Sequence, residues 1–206
     1  MWPLERLLED GVDVTLLFYN PNIHPNVEWQ RRLENALKVS DHYDVPLMIK
    51  GCSLAEEWIK RAEDGRERCR YCYMTRMDCV AQEAVKEGFD AFSTTLLVSP
   101  YQDRDLILQE GEKAAANHQI QFIPYDWRDG YRDGQTMAKD IDLYRQKYCG
   151  CVVSLEDSRF SEKIAREHEK IALWECLQTG DFAKEAIRYD KDNWEAMKNA
   201  NKEKVS

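Results

Sequence analysis

The sequence predicts an α/β fold, a parallel sheet wound with helices on both faces, followed by a helical C-terminal extension. Three observations predict it. From residue 12 to residue 148, short β-branched or apolar runs alternate with stretches of helical periodicity. The strand runs are separated by whole helices, which favours parallel pairing through crossover connections. After Ser154 the pattern changes, and residues 161–206 hold ten acids and nine bases with apolar positions at rough helical spacing.

Taken in order, Leu4, Leu7 and Leu8 give a short helical pattern before any strand. Residues 12–19, VDVTLLFY, read as a first strand that stops at the turn Asn20-Pro21-Asn22. Trp29, Leu33, Ala36 and Leu37 mark a helix over residues 28–44, and Val45 to Ile49 a second strand closed by Gly51. Residues 54–62 read as a helix, and residues 70–87 as a longer one stopped by Gly88. A third strand spans residues 91–98, a helix residues 103–117, a fourth strand residues 120–124, and a helix residues 135–148. Ile164, Ile171, Leu173, Trp174 and Leu177 then mark the charged extension, which divides the chain into a domain over 1–158 and a tail over 159–206.

Composition narrows the function classes. Of 206 residues, 43% are hydrophobic, with six Trp and ten Tyr, so there is apolar surface enough for a core and wholesale disorder is excluded. No apolar run approaches the length of a membrane span. The opening MWPLERLLEDG has no basic-then-apolar leader pattern, which predicts a cytoplasmic protein. A net charge of −9 means that nucleic acid would have to be met by a local basic patch. One exists: residues 60–76 carry six bases against three acids, with Arg66, Arg68, Arg70 and Arg76 around a cysteine pair. A solvated loop is the plainer reading of that run.

Seven cysteines in such a chain point away from a disulfide framework. Cys69 and Cys72 form a CxxC at a helix start, where two sulfurs can share one metal or cluster, although a four-coordinate site needs two more ligands. Cys149-Gly150-Cys151 is a CxC, whose glycine lets the backbone bend toward a strained, labile disulfide; the same glycine could equally be a helix stop beside two buried thiols. Cys79 and Cys176 read as core residues, and Cys52, just past a strand end, as a minor candidate. In a parallel α/β sheet ligands gather beyond the strand carboxyl ends. There lie Tyr19, Asn20, Asn22 and His24; then Ser93, Thr94, Thr95 and Ser99; then Asp126. Amides, hydroxyls and an imidazole suit a polar ligand, while Asx turns and strand threonines explain the same residues structurally.

The order FYNPNIHP, ERCRYCYMTRM, AFSTTLLVSPYQ, YRQKYCGCVVS closely resembles the QueH family of epoxyqueuosine reductases, over residues 2–158. The resemblance implies a Rossmann-like fold of the α/β nucleotide hydrolase type. It implies the last step of queuosine synthesis at the tRNA wobble position, in which an epoxide becomes an alkene without cobalamin. It also implies a [4Fe-4S] cluster held in part by Cys69 and Cys72, and a redox-active pair at Cys149 and Cys151. Family members carry a strand and an adjacent Cys-Cys pair, of the form HVCCxPC, before the segment matching Trp2-Pro3-Leu4. Since this chain opens after that pair, the expectation is that these 206 residues alone do not complete the cluster.

In the mechanism so implied, Tyr19, His24 and Asp126 are candidate proton donors. Asn20, Asn22, Ser93, Thr94, Thr95 and Ser99 would hold a modified base that has left the anticodon stack, with Arg68 and Arg70 at the tRNA backbone. The electron donor is not specified. The alternatives are a tRNA-interaction protein without turnover, in which Cys69, Cys72, Cys149 and Cys151 bind one zinc, or an inactive fragment.

Overall fold

The computed structural model describes residues 1–51, 53–61, 63–178 and 185–199. In chain order they form α1 (Trp2–Glu9), β1 (Leu16–Tyr19), α2 (Asn26–Tyr43), β2 (Leu47–Lys50), α3 (Ala55–Ile59), α4 (Arg66–Glu87), β3 (Ala91–Phe92), α5 (Arg104–His118), β4 (Gln121–Phe122) and α6 (Tyr131–Asp140). There follow α7 (Val152–Glu156), α8 (Ser161–His168), α9 (Glu175–Gln178), β5 (Ile187–Arg188) and α10 (Trp194–Asn199). By contacts the chain divides into two compact units, Met1–Val14 with Glu63–Leu143 and Thr15–Ala62 with Tyr144–Ser206. Among the described residues no helix is long and apolar enough to cross a membrane.

The first unit is built on α4 and α5. Tyr73, Met77, Ala81 and Ala84 recur at helical spacing on α4 and meet Leu106, Ile107 and Ala114 of α5, with Phe92 and Phe122 completing the core. Those two phenylalanines sit opposite one another in the parallel pair β3–β4. Gly88 takes a left-handed backbone with φ 80° and ends α4 where the sequence predicts. Asp103 caps α5 by accepting from the Leu106 N–H at 3.1 Å. Gly130 lies against Trp2 of α1, and any side chain there would run into the indole.

The second unit is a three-stranded sheet in the order β1–β2–β5, parallel between β1 and β2 and antiparallel between β2 and β5. Trp29, Leu33 and Leu37 form one stripe of α2 and pack over Phe18, Leu47 and Ile49 of the strands. Burial of each such side chain contributes about 1.5–3 kcal/mol. Cys176, Leu177 and Trp194 belong to the same core, so the charged C-terminal segment is built into this unit.

The α/β organisation and the parallel pairing are as predicted, but three expectations change. Among the described residues the strands form two small sheets and not one wound sheet. The expected strand over 91–98 lasts two residues before a 3-10 turn over Thr95–Val98, because the Thr94 hydroxyl accepts from the Leu96 N–H and diverts the backbone from the ladder. The expected helix over 135–148 runs from Tyr131 to Asp140 and stops ahead of Asp142, whose φ is 51°.

Candidate functional site

The CxC motif does not close a helix; it opens α7. The Cys151 sulfur accepts from the Ser154 N–H at 3.5 Å as the cap of that helix, and the Ser154 hydroxyl donates to the Cys151 carbonyl at 3.0 Å. Cys149 is exposed and Cys151 is buried; neither is in a disulfide, and their sulfurs are 3.6 Å apart. Cys149 also lies 2.9 Å from the Ser154 hydroxyl. The hydrogen bond and charge of Cys149, together with burial, push the Cys151 thiol well above its ordinary pKa. Cys151 is therefore the member that keeps its proton.

What holds this loop is a buried polar network. Glu28 on α2 is fully buried and takes Arg32 Nε at 2.8 Å, His168 Nε2 at 3.0 Å and the Tyr144 hydroxyl at 3.2 Å. Burial alone would raise the Glu28 pKa, but the hydrogen bonds and charges of His168 and Arg32 hold it below the usual carboxylate value. Arg32 then donates from Nη1 to the Cys149 carbonyl and from Nη2 to the Tyr148 carbonyl, both at 3.0 Å. Asn35 pairs with the backbone of Tyr144 in both directions. The Tyr148 hydroxyl donates to the His24 carbonyl, and the His24 N–H donates to the Gly150 carbonyl at 2.8 Å. Burial and the Glu28 charge raise the pKa of both tyrosines, so they serve as donors.

His24 thus shares a scaffold with the CxC loop. It also lines a cleft of about 510 Å³ with Leu155, Glu156, Ile164 and His168. Burial lowers its pKa despite the Glu156 charge, so the imidazole is mainly neutral at pH 7. Asn22, in the same loop, is 3% exposed, and its Oδ1 finds no hydrogen-bond partner among the described residues. Tyr19 and Asn20 lie at the carboxyl end of β1 in this unit, both half-buried. Cys52 falls outside the described residues.

The other predicted groups lie in the first unit. Cys69 and Cys72 are half-exposed and outside any disulfide, in the opening turns of α4, three residues apart and so on neighbouring positions of one helix face. Two thiolates so placed fit two corners of an iron-sulfur cluster. Among the described residues no group of three or more His, Cys, Asp or Glu comes together to hold a metal ion. The surrounding bases are largely matched: Arg66 pairs with Asp103 at 2.7 Å, and Arg70 with Glu67 at 3.0 Å and Glu110 at 2.9 Å. Arg68 is half-buried on the same turn.

Ser93 donates across to the Ile123 carbonyl, while Thr94 caps the turn at Thr95 and Ser99 accepts from the Tyr101 N–H, so three of those four hydroxyls are engaged with backbone groups. Asp126 is clamped by Arg128, whose hydrogen bonds lower its pKa to about 2. A carboxyl that stays ionised at neutral pH is a poor proton donor.

Tyr144 and Tyr148 stand in the segment YRQKYCGCVVS, but Glu28, Arg32 and His168 are not singled out by any motif. The one trace in the sequence is the Glu28–Arg32 spacing of four, which is equally common on solvated helix faces.

A family model described as epoxyqueuosine reductase QueH matches residues 1–157. An epoxyqueuosine reductase QueH of Thermotoga maritima is 35% identical over 157 residues, covering 71% of this chain and 82% of that protein. One from Dehalococcoides mccartyi is 37% identical over 157 residues, with 75% and 85% covered. One from Haemophilus influenzae is 32% identical over 189 residues, with 86% and 76% covered.

Proposed function

The chain belongs to the epoxyqueuosine reductase QueH family, and on that premise we propose that it reduces epoxyqueuosine to queuosine at the wobble position of tRNA. It is an oxidoreductase. The epoxide takes up two electrons and two protons, the two carbon–oxygen bonds break, an alkene forms and the oxygen leaves as water. Two thiols supply that count when they close to one disulfide, which an external donor must then reopen. The observation that carries the reading is the match over residues 1–157, which contains both cysteine pairs.

Within it Cys149 and Cys151 are the redox-active pair, supported by their 3.6 Å separation and by the division into an exposed and a buried thiol. Of the candidate proton donors His24 is the one that lines the cleft and bonds the CxC loop through its backbone; its imidazole, held mainly neutral by burial, would have to take up a proton before passing it to the oxygen. Cys69 and Cys72 would supply two of the thiolates of a [4Fe-4S] cluster, which supplies single-electron transfer and a Lewis acid toward oxygen when bound. The Asn20–Asn22 and Ser93–Ser99 segments would contact the displaced base, and Arg68 and Arg70 the anticodon region of the tRNA. The parallel β1–β2 and β3–β4 pairs support a Rossmann-like, nucleotide-hydrolase-like fold, and a tRNA substrate supports a cytoplasmic location.

The test is anaerobic incubation of the full chain, supplied with iron, sulfide and dithionite, with tRNA carrying epoxyqueuosine, followed by nucleoside analysis. The expected product is queuosine, lighter by one oxygen. Unchanged epoxyqueuosine with iron-loaded protein would overturn the reading.

A further inference from the structure

We infer that Arg32, braced by Glu28 and by His168 of the C-terminal extension, is the positioning residue that presents Cys151 to Cys149 for disulfide closure. The inference rests on the reading of those cysteines as a redox pair.

Three consecutive carbonyls of the loop are each held. Arg32 takes those of Tyr148 and Cys149 at 3.0 Å apiece, and the His24 N–H takes that of Gly150 at 2.8 Å. Gly150 has φ +123°, and a Cβ there would stand 3.0 Å from both Arg32 Nη1 and Ile23 Cγ1, so the loop lies flush against the guanidinium. A planar fork meets two adjacent carbonyls at once, which a single ammonium does not. The fork is itself fixed, because Glu28 takes its third nitrogen, Nε, at 2.8 Å. On its other oxygen Glu28 takes His168 at 3.0 Å. His168 lies past the 157 residues of the family model, and Lys147 and Arg31 clasp its neighbour Glu167 at 2.6 Å and 3.2 Å. The brace therefore runs from the C-terminal extension through a buried carboxylate to the backbone that carries both sulfurs.

The chemistry that feels this brace is ring closure. When a thiol–disulfide reagent such as oxidised glutathione reacts with the exposed Cys149, the Cys151 sulfur attacks the Cys149 sulfur of the mixed disulfide. The Cys149–Cys151 bond forms, and glutathione leaves as thiolate, which takes up the Cys151 proton. Closure brings the sulfurs from 3.6 Å to about 2.0 Å, a short travel only if the backbone is held.

The experiment treats the reduced full chain with oxidised glutathione, quenches in acid, and follows the peptide containing residues 149–151 by mass spectrometry. Each variant is measured at the plateau of its own pH profile, so that a changed thiolate fraction does not enter. Wild type is expected to pass quickly to the internal disulfide. Arg32→Gln is expected to accumulate glutathionylated Cys149 and to close at least about tenfold more slowly, the equivalent of one lost charge-assisted hydrogen bond. Arg32→Lys should not restore the rate, and His168→Gln should fall between. Gln30→Ala, which breaks α2 bonds to Ala172 and Trp174 without touching the loop, should lower stability and leave closure unchanged. Wild-type closure rates in both Arg32→Gln and His168→Gln would overturn the inference; if the arginine variant does not fold, the histidine variant decides alone. A wild-type pair that never closes would overturn the redox reading, and the inference with it.

Discussion

The two cysteine pairs of this chain are displayed by opposite means. Cys69 and Cys72 ride on a helix of 22 residues whose backbone satisfies itself, and whose packing is set by Tyr73, Met77 and Ala81 farther along. Cys149 and Cys151 flank a glycine in an irregular turn whose carbonyls are satisfied by side chains and backbone more than 100 residues away in sequence. The helix needs nothing from elsewhere to hold its thiols one turn apart. The loop has no such internal order, and a buried ionic network supplies it. A self-satisfied helix suits a pair that anchors a ligand, whereas a braced loop suits a pair that must meet and part.

The largest effect expected from this contrast is on turnover. Cys149→Ser or Cys151→Ser should reduce queuosine formation to background while iron content stays near that of wild type, measured on anaerobically loaded protein. Loss of iron in either variant would mean that this pair is an anchor as well, and the contrast would fail.

The next effect is on stability. Glu28→Ala should cost about 3–5 kcal/mol in denaturant unfolding, because it leaves the Arg32 and His168 groups buried without their counter-charge. Glu28→Gln should mend part of that and alter the acid limb. The folded pKa of Glu28 lies below its unfolded value, so its contribution is fully present above about pH 4.5 and fades as pH falls through the folded pKa. The glutamine variant should therefore show a flatter fall in stability below that pH than wild type. An unchanged acid limb would mean that the network contributes little to the unit.

On the helix side the comparable change is smaller. Asp103→Ala removes the cap of α5 and the partner of Arg66, and should cost about 1 kcal/mol. Asp103→Asn keeps an acceptor for the Leu106 N–H, so it should cost only a few tenths, the worth of an exposed ion pair. Equal costs for the two substitutions would show that the ion pair, and not the cap, is what Asp103 contributes.

The contrast also explains what could be read from the chain itself. The cores of α2 and α4 follow from apolar spacing, because Trp29, Leu33, Leu37 and Tyr73, Met77, Ala81 recur every four residues. Gly88 as a stop is equally local. The third strand is shorter than its apolar pattern predicts because the Thr94 side chain accepts from the Leu96 N–H, a hydrogen bond that hydrophobic pattern does not report. The cysteine pairs are visible by spacing. The brace is not, because Glu28 and His168 are 140 residues apart and each looks like an ordinary member of a charged helix. Spacing finds groups that share an element, and it is blind to a contact made only by the tertiary fold.

The smallest effect is the most discriminating. Cys72 is half-exposed on α4, outside the stripe that meets α5, and Ser differs from Cys by little volume. Cys72→Ser should therefore change unfolding free energy by no more than about 0.5 kcal/mol, as for most surface substitutions. The same substitution removes one of the two thiolates that the CxxC offers a cluster, so iron and sulfide retained after desalting should drop sharply. Stability and metal content would thus separate at Cys72. At Cys151, 6% exposed and capping α7, substitution should instead perturb the fold and leave the metal alone. Iron loading and unfolding measured side by side on the two variants test that crossing directly. If Cys72→Ser leaves iron unchanged, the CxxC is not an anchor, and the division of labour between the two pairs does not hold.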